Sequence, residues 1–292
     1  MTELLTTLLK ISLLIFMAGS LLDMGLRLRL GDALAGLRNA RFVTLSLLWG
    51  FVLCPAFAWL LTRVVPLDQP YAIGLILLGM TPCAPFLPMV AERARGDMGY
   101  PASFMLLASV GMVVYMPIAV PLMVEGLTVS AWTIARPLLT LVLLPLAIGM
   151  AILHASTPAA SRLRPFVKKT TGVATIVMLA LCVVVYGKGF IGSAGSYATL
   201  TQMIFFGVVT AASYGLAFGL PQSQKSVLSL GLCTRNLGAA LAPLFTAPDV
   251  DERAIVMVVL GVPLQILFAF AAARAFARRA AIHDPGGAPP NK

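Results

Sequence analysis

Charge is scarce in this chain. Only 11% of its 292 residues are Asp, Glu, Lys or Arg, where an ordinary soluble domain has about a quarter. Acids are the rarer sign, 11 against 21 bases. Together with 59% hydrophobic residues and a mean hydropathy of +0.94, this excludes a soluble globular fold and points to a polytopic membrane protein. Histidine is nearly absent, and His154 and His283 carry no motif. Cys54, Cys83, Cys182 and Cys233 all lie in apolar runs without a C-x-x-C pair, so neither a disulfide framework nor a zinc site is expected, and no cofactor is. A GxGD pair, a GxSxG elbow and an HExxH helix are missing, which removes the chemistry of an intramembrane hydrolase and leaves no expected enzyme activity. The first apolar segment has neither a basic leader nor a small-residue cleavage site and reads as a retained span.

Apolar runs are what the chain has in plenty. Crossing a hydrocarbon core takes about 20 mainly apolar residues, and windows of that length can be drawn nine times, near 4–26, 41–64, 70–93, 99–123, 131–153, 166–186, 198–219, 225–247 and 254–277. Alternate loops hold the basic residues, fifteen of the 21, in clusters such as Arg27 to Arg41, Arg93 with Arg95, and Arg162 to Lys169. That alternation explains the net charge of +10 as membrane orientation and not as nucleic-acid binding. It predicts an outside N-terminus and a cytoplasmic C-terminus in a plasma (bacterial inner) membrane. Residues 1–277 are expected to form one transporter domain and 278–292 a disordered tail rich in Pro and Gly.

Two spans carry interruptions. The third contains "GMTPCAPFLPMV", with Pro82, Pro85 and Pro88 at spacing three, and each proline removes a helix hydrogen bond and crowds the preceding turn. The eighth contains "LGLCTRNLGAAL", where Gly231, Thr234, Asn236 and Gly238 weaken helix preference around Arg235. Backbone released from a helix in mid-membrane must face protein or a water-filled cavity. The last four spans can be laid on the first four with these two breaks in register and with opposite orientation. The fold predicted is therefore all-α, an inverted repeat of about 4–123 and 131–277 with two broken helices, the pattern of a secondary transporter.

The segments "FMAGSLLDMGLRL", "LLGMTPCAPFLPMVAERARGD" and "GLCTRNLGAALAP" resemble, in order and spacing, three segments of the bile acid:sodium symporter family, within the bile, arsenite and riboflavin transporter superfamily. The resemblance implies a six-span core moving against a panel made of the first, fifth and sixth spans. The broken helices would cross, and substrate would bind beside the crossing. The residues it places there are Thr81, Pro82, Cys83, Leu87, Cys233, Thr234, Arg235, Asn236 and Gly238. The resemblance also exposes departures. Where sodium-coupled members have a Ser-Asn pair after the first break, this chain has Leu87 and Pro88. Gly231 stands for an acid, Arg235 for a glutamine, Pro101 for a hydroxyl and Gly50 for a polar residue. Nearly every side-chain ligand of the family's sodium sites is thus replaced, with Asn236 and backbone carbonyls remaining.

A charged arginine at the bilayer centre costs ~3 kcal/mol or more and needs a partner or water. Three uses of Arg235 stay open: a permanent cation replacing the coupling ion, a direct hold on an anionic substrate, and a pairing with Asp23 or Glu92. The function expected is secondary transport of a small or amphipathic organic anion, independent of sodium. The alternatives are a sodium-coupled symporter and a metalloid exporter using Cys83. Partners expected are the anion and the bilayer, with no nucleic acid. "GLAFG", at 215–219, reads as a weak helix-packing motif.

Overall fold

Backbone polar groups inside a bilayer must be satisfied within the protein, and helices do this segment by segment. The computed structural model describes residues 2–124, 130–193, 195–247 and 250–283, and these residues fold into helices with one isolated bridge. Helix α1 (Thr2–Gly25) leads into the short α2 (Leu30–Leu37). The next apolar run is one rod made of α3 (Ala40–Leu48), a π turn (Trp49–Leu53) and α4 (Cys54–Val64). The third run is split into α5 (Gln69–Gly79) and α6 (Leu87–Arg93), and α7 (Pro101–Met123) follows. A second rod with a π turn joins α8 (Ala131–Leu138), Leu139–Leu143 and α9 (Leu144–Ala155). Then come α10 (Thr157–Val185), α11 (Gly187–Ser193) and α12 (Ala198–Gly215). The eighth run is split into α13 (Gln222–Cys233) and α14 (Leu237–Thr246), and α15 (Glu252–His283) ends the described chain.

Both π turns lie just before a proline, Pro55 or Pro145, at the start of the helix that follows. Proline lacks the N–H and crowds the carbonyl four residues back, and the wider turn lets the rod continue past it. Among the described residues, six helices are long and apolar enough to cross a membrane: Leu4–Gly25, Ala40–Val64, Pro101–Met123, Ala131–Ala155, Thr157–Val185 and Glu252–Ile282. The three remaining windows are the two split runs and α12.

Three boundaries differ from expectation. Helix α10 starts nine residues before the apolar window, because the Ser156 hydroxyl accepts from the Ala159 N–H and Pro158 opens the first turn. Arg162, Arg164, Lys168 and Lys169 are therefore helical residues and not a loop cluster. Helix α15 continues to His283, into the expected tail, and 284–292 lie outside the described residues. The "GLAFG" match is not a packing face, since α12 ends at Gly215, and Gly219 has φ +74° and accepts from Arg41 in a loop.

Helices α1, α9 and α10 pack together as one group. Here Gly25 and Gly149 allow contact so close that a Cβ on Gly25 would lie 2.9 Å from the Gly149 Cα. The other group packs α5 on α4 and α15, and α13 on α12 and α15. Long-range contacts gather the loops at two ends, as the charge alternation requires. At one end the Asn39 amide donates to the Tyr100 hydroxyl (3.0 Å) and to Gln224 Oε1 (3.2 Å). At the other, Arg253 reaches Asp68 at 2.9 Å.

Candidate functional site at the crossing of two broken helices

Residues 80–86 leave α5 as a loop in which Cys83 takes a φ of +72°, a conformation that costs a non-glycine residue roughly 1–3 kcal/mol. The second break is tighter. Thr234 and Asn236 are extended, and the chain re-enters a helix at Leu237. The two breaks pass antiparallel and pair through Pro82 and Arg235. The Cys83 N–H donates to Gly231 O (2.9 Å) and Thr234 O (2.8 Å), and the Asn236 N–H donates to Thr81 O (2.9 Å). The Ala84 N–H donates to Thr234 Oγ1 at 3.2 Å. Each break thus satisfies backbone groups that the other has freed, which is what mid-membrane backbone requires. Asn236 also caps α14, its Oδ1 accepting from the Ala239 N–H at 3.2 Å.

Arg235 lies inside this knot, 1% exposed. Its backbone N–H donates to Gln265 Oε1 at 2.6 Å. Its Nη1 donates to Gly79 O at 3.2 Å, at the C-terminal end of α5, where helix carbonyls present negative charge. The guanidinium carbon sits 5.0 Å from the centre of the Phe205 ring. Nε and Nη2 are buried with no hydrogen-bond partner among the described residues. The pairing with Asp23 is not found: that carboxylate faces Arg164 (3.2 Å) and Arg27 (3.7 Å). Glu92 is exposed on α6.

The positions that the resemblance pairs with sodium ligands are closely packed at Gly231, Gly50 and Leu87. A Cβ on Gly231 would come within 2.3 Å of the Phe104 ring, and one on Gly50 within 3.2 Å of the Pro82 ring. An acidic side chain at 231 has no room unless Phe104 moves. Leu87 is fully buried, Pro101 opens α7, and Pro88 faces a cavity.

That cavity, about 660 Å³, lies between α1 and α10 on one wall and the breaks, α6 and α15 on the other. Arg235 and Asn236 border it, whereas Thr81, Pro82, Cys83, Leu87, Cys233, Thr234 and Gly238 are buried and do not line it. Besides Arg235, the charged side chains that line it are Asp23, Arg27, Glu92, Arg164 and Lys168. Sequence reasoning placed Arg27, Arg164 and Lys168 among loop charges, and Asp23 and Glu92 among the partners open to Arg235. A usable signal exists: Arg164, Lys168, Thr171 and Thr175 recur at helical spacing on α10, and Ser20, Asp23 and Arg27 recur along the end of α1. Arg27 also donates through Nη2 to Pro85 O in the first break. Burial pushes the Arg27 guanidinium below its ordinary value and Asp23 opposes that; arginine keeps its proton regardless.

Long apolar helices around two half-helix pairs that cross beside a cavity define a membrane transporter of the broken-helix kind. The model of the sodium bile acid symporter family matches residues 12–193, and the chain belongs to that family. The match includes the first break, the second half of α1 and all of α10, and it ends before the second break. No curated protein matches the chain.

Proposed function

We propose that the protein moves a small or amphipathic organic anion by alternating access, without a coupling sodium ion. The observation that carries this is the setting of Arg235. Its partners are a helix-end carbonyl and an aromatic face, with no carboxylate in salt-bridge distance among the described residues. A bound cation would have such surroundings, and a permanent guanidinium supplies the same charge without release. The rings of Phe104 and Pro82 over Gly231 and Gly50 oppose sodium, which needs several oxygen ligands. This favours the ion-replacing use of Arg235 over direct substrate contact.

In this reading the helices make nine spans in two inverted repeats, about 4–123 and 131–277, and the group α1, α9 and α10 with the α8 rod is the panel. The cavity beside the crossing takes the substrate. The end bearing Arg27, Arg164 and Lys168 faces the cytoplasm, because loop bases collect there. Sodium-coupled symport is the second reading, favoured by the description of the family. Metalloid export is disfavoured, since Cys83 does not line the cavity.

Proteoliposomes test the proposal. Uptake of labelled cholate should be equal with sodium or with choline as the external cation. Uptake that appears only under a sodium gradient would sink it.

A further inference from the structure

We infer that Arg27, Arg164 and Lys168 form the seat for the anionic end of the substrate, a carboxylate or sulfonate, and that Asp23 is its built-in competitor. The inference rests on the transport reading above and names the polar end of the same cavity. Two guanidiniums share one carboxylate: Arg164 Nε donates to Asp23 Oδ1 at 3.2 Å, and Arg27 Nε stands 3.7 Å from Oδ2, too far for a hydrogen bond. Arg27 Nε is accordingly a buried donor with no hydrogen-bond partner. Lys168 follows Arg164 by one helical turn and lines the same wall. Three cations therefore face one acid on this side of the cavity. Glu92, the other lining acid, projects from α6 on the opposite wall and biases an incoming anion toward α1 and α10.

Arginine prefers two parallel hydrogen bonds to a planar anion. Asp23 gives Arg164 one and Arg27 none. A substrate carboxylate entering between them supplies the missing acceptor, with Asp23 giving way to it. Beyond the cluster the wall is mainly apolar, with Phe16, Met17, Met178, Leu179 and Ile266 beside the hydroxyls of Ser20, Thr171 and Thr175, and suits an amphipathic body. Arg27 also holds Pro85 O, so an anion that draws Arg27 away loosens a tie between the end of α1 and the first break. Anion binding is in this way connected to the part of the molecule that must move.

The test uses purified protein in nanodiscs with two probes, cholate and its uncharged amide, with affinity from calorimetry and thermal shift. R164Q should weaken cholate about tenfold, as loss of a charge-assisted contact does, and leave the amide within about twofold. D23N should tighten cholate roughly three- to tenfold, because the competing carboxylate is gone, and D23E should resemble the parent. If D23N weakens both probes alike, Asp23 is a structural ion pair and the inference is wrong. If the parent takes up cholate while R164Q and D23N leave its affinity unchanged, the seat lies elsewhere and the transport reading stands. Failure of the parent to bind or transport cholate would overturn both.

Discussion

Two regions of this protein present arginine to very different surroundings. At the crossing, Arg235 is almost wholly buried at the edge of the cavity, held by a backbone carbonyl and the Phe205 face, with no acid in reach. Elsewhere on the same cavity, Arg27 and Arg164 are only partly covered, share Asp23, and border open space. The same guanidinium can therefore act as a fixed structural cation in one place and as an exchangeable anion partner in another. Burial makes the difference: charges screened by solvent can trade partners at little cost, whereas a buried one cannot.

If that contrast is right, the buried arginine should be the more costly to remove. R235Q should cut cholate uptake by at least about tenfold, equivalent to ~1.4 kcal/mol in barrier, with no rescue by sodium in proteoliposomes. Recovery on raising sodium would mean that a usable ion site lies beneath the arginine. In stability and not in rate, G231D should destabilise the fold by roughly 2–4 kcal/mol, from overpacking against Phe104 and from burying a carboxylate. In thermal unfolding, G231D with F104A should cost less than the sum of the two single changes, since the second makes room for the first. Strict additivity would show that Phe104 is not what fills the position.

The open cluster should respond more mildly. R164Q is expected to lower anion affinity while leaving the melting temperature within about 2 °C, because a partly exposed pair is worth little to the fold. A larger drop in melting temperature would make Arg164 a brace as well. The smallest effect belongs to the opposite end of the molecule, where Arg253 bridges Asp251 (2.8 Å) and Asp68 (2.9 Å) in the open. Hydrogen bonding from Arg253 holds the Asp251 carboxyl below its usual value. A depressed acid lends stability above the ordinary carboxylate range and loses it as pH falls through the lowered value. D251N should therefore cost well under about 1 kcal/mol at neutral pH and nothing at low pH, read from melting curves across pH.

Legibility in the sequence follows the range of the forces involved. The two breaks can be located from local chemistry: Pro82, Pro85 and Pro88 in one, and Thr234, Arg235 and Asn236 in the other. Their surroundings cannot be located this way. Thr81, Cys83, Leu87 and Thr234 carry the motif and yet turn into the protein, because the crossing consumes their backbone groups and covers their side chains. The charges that line the cavity were hidden for another reason. An apolar window detects only the part of a helix that is hydrophobic, so the start of α10 with Arg164 reads as a loop before the window at 166–186, and its alignment with Lys168, Thr171 and Thr175 inside that window is lost.

Hydropathy, proline and the distribution of bases are properties of short stretches, and the sequence by itself determined from them the membrane class, the helical runs, both interruptions and the sorting of loops between two ends. Helix rotation and the meeting of residues far apart in the chain are set by packing among many elements. Only the tertiary structure decided that Arg235 points to Gly79 O and Phe205, that Phe104 covers Gly231, and that Asp23 on α1 meets Arg164 on α10.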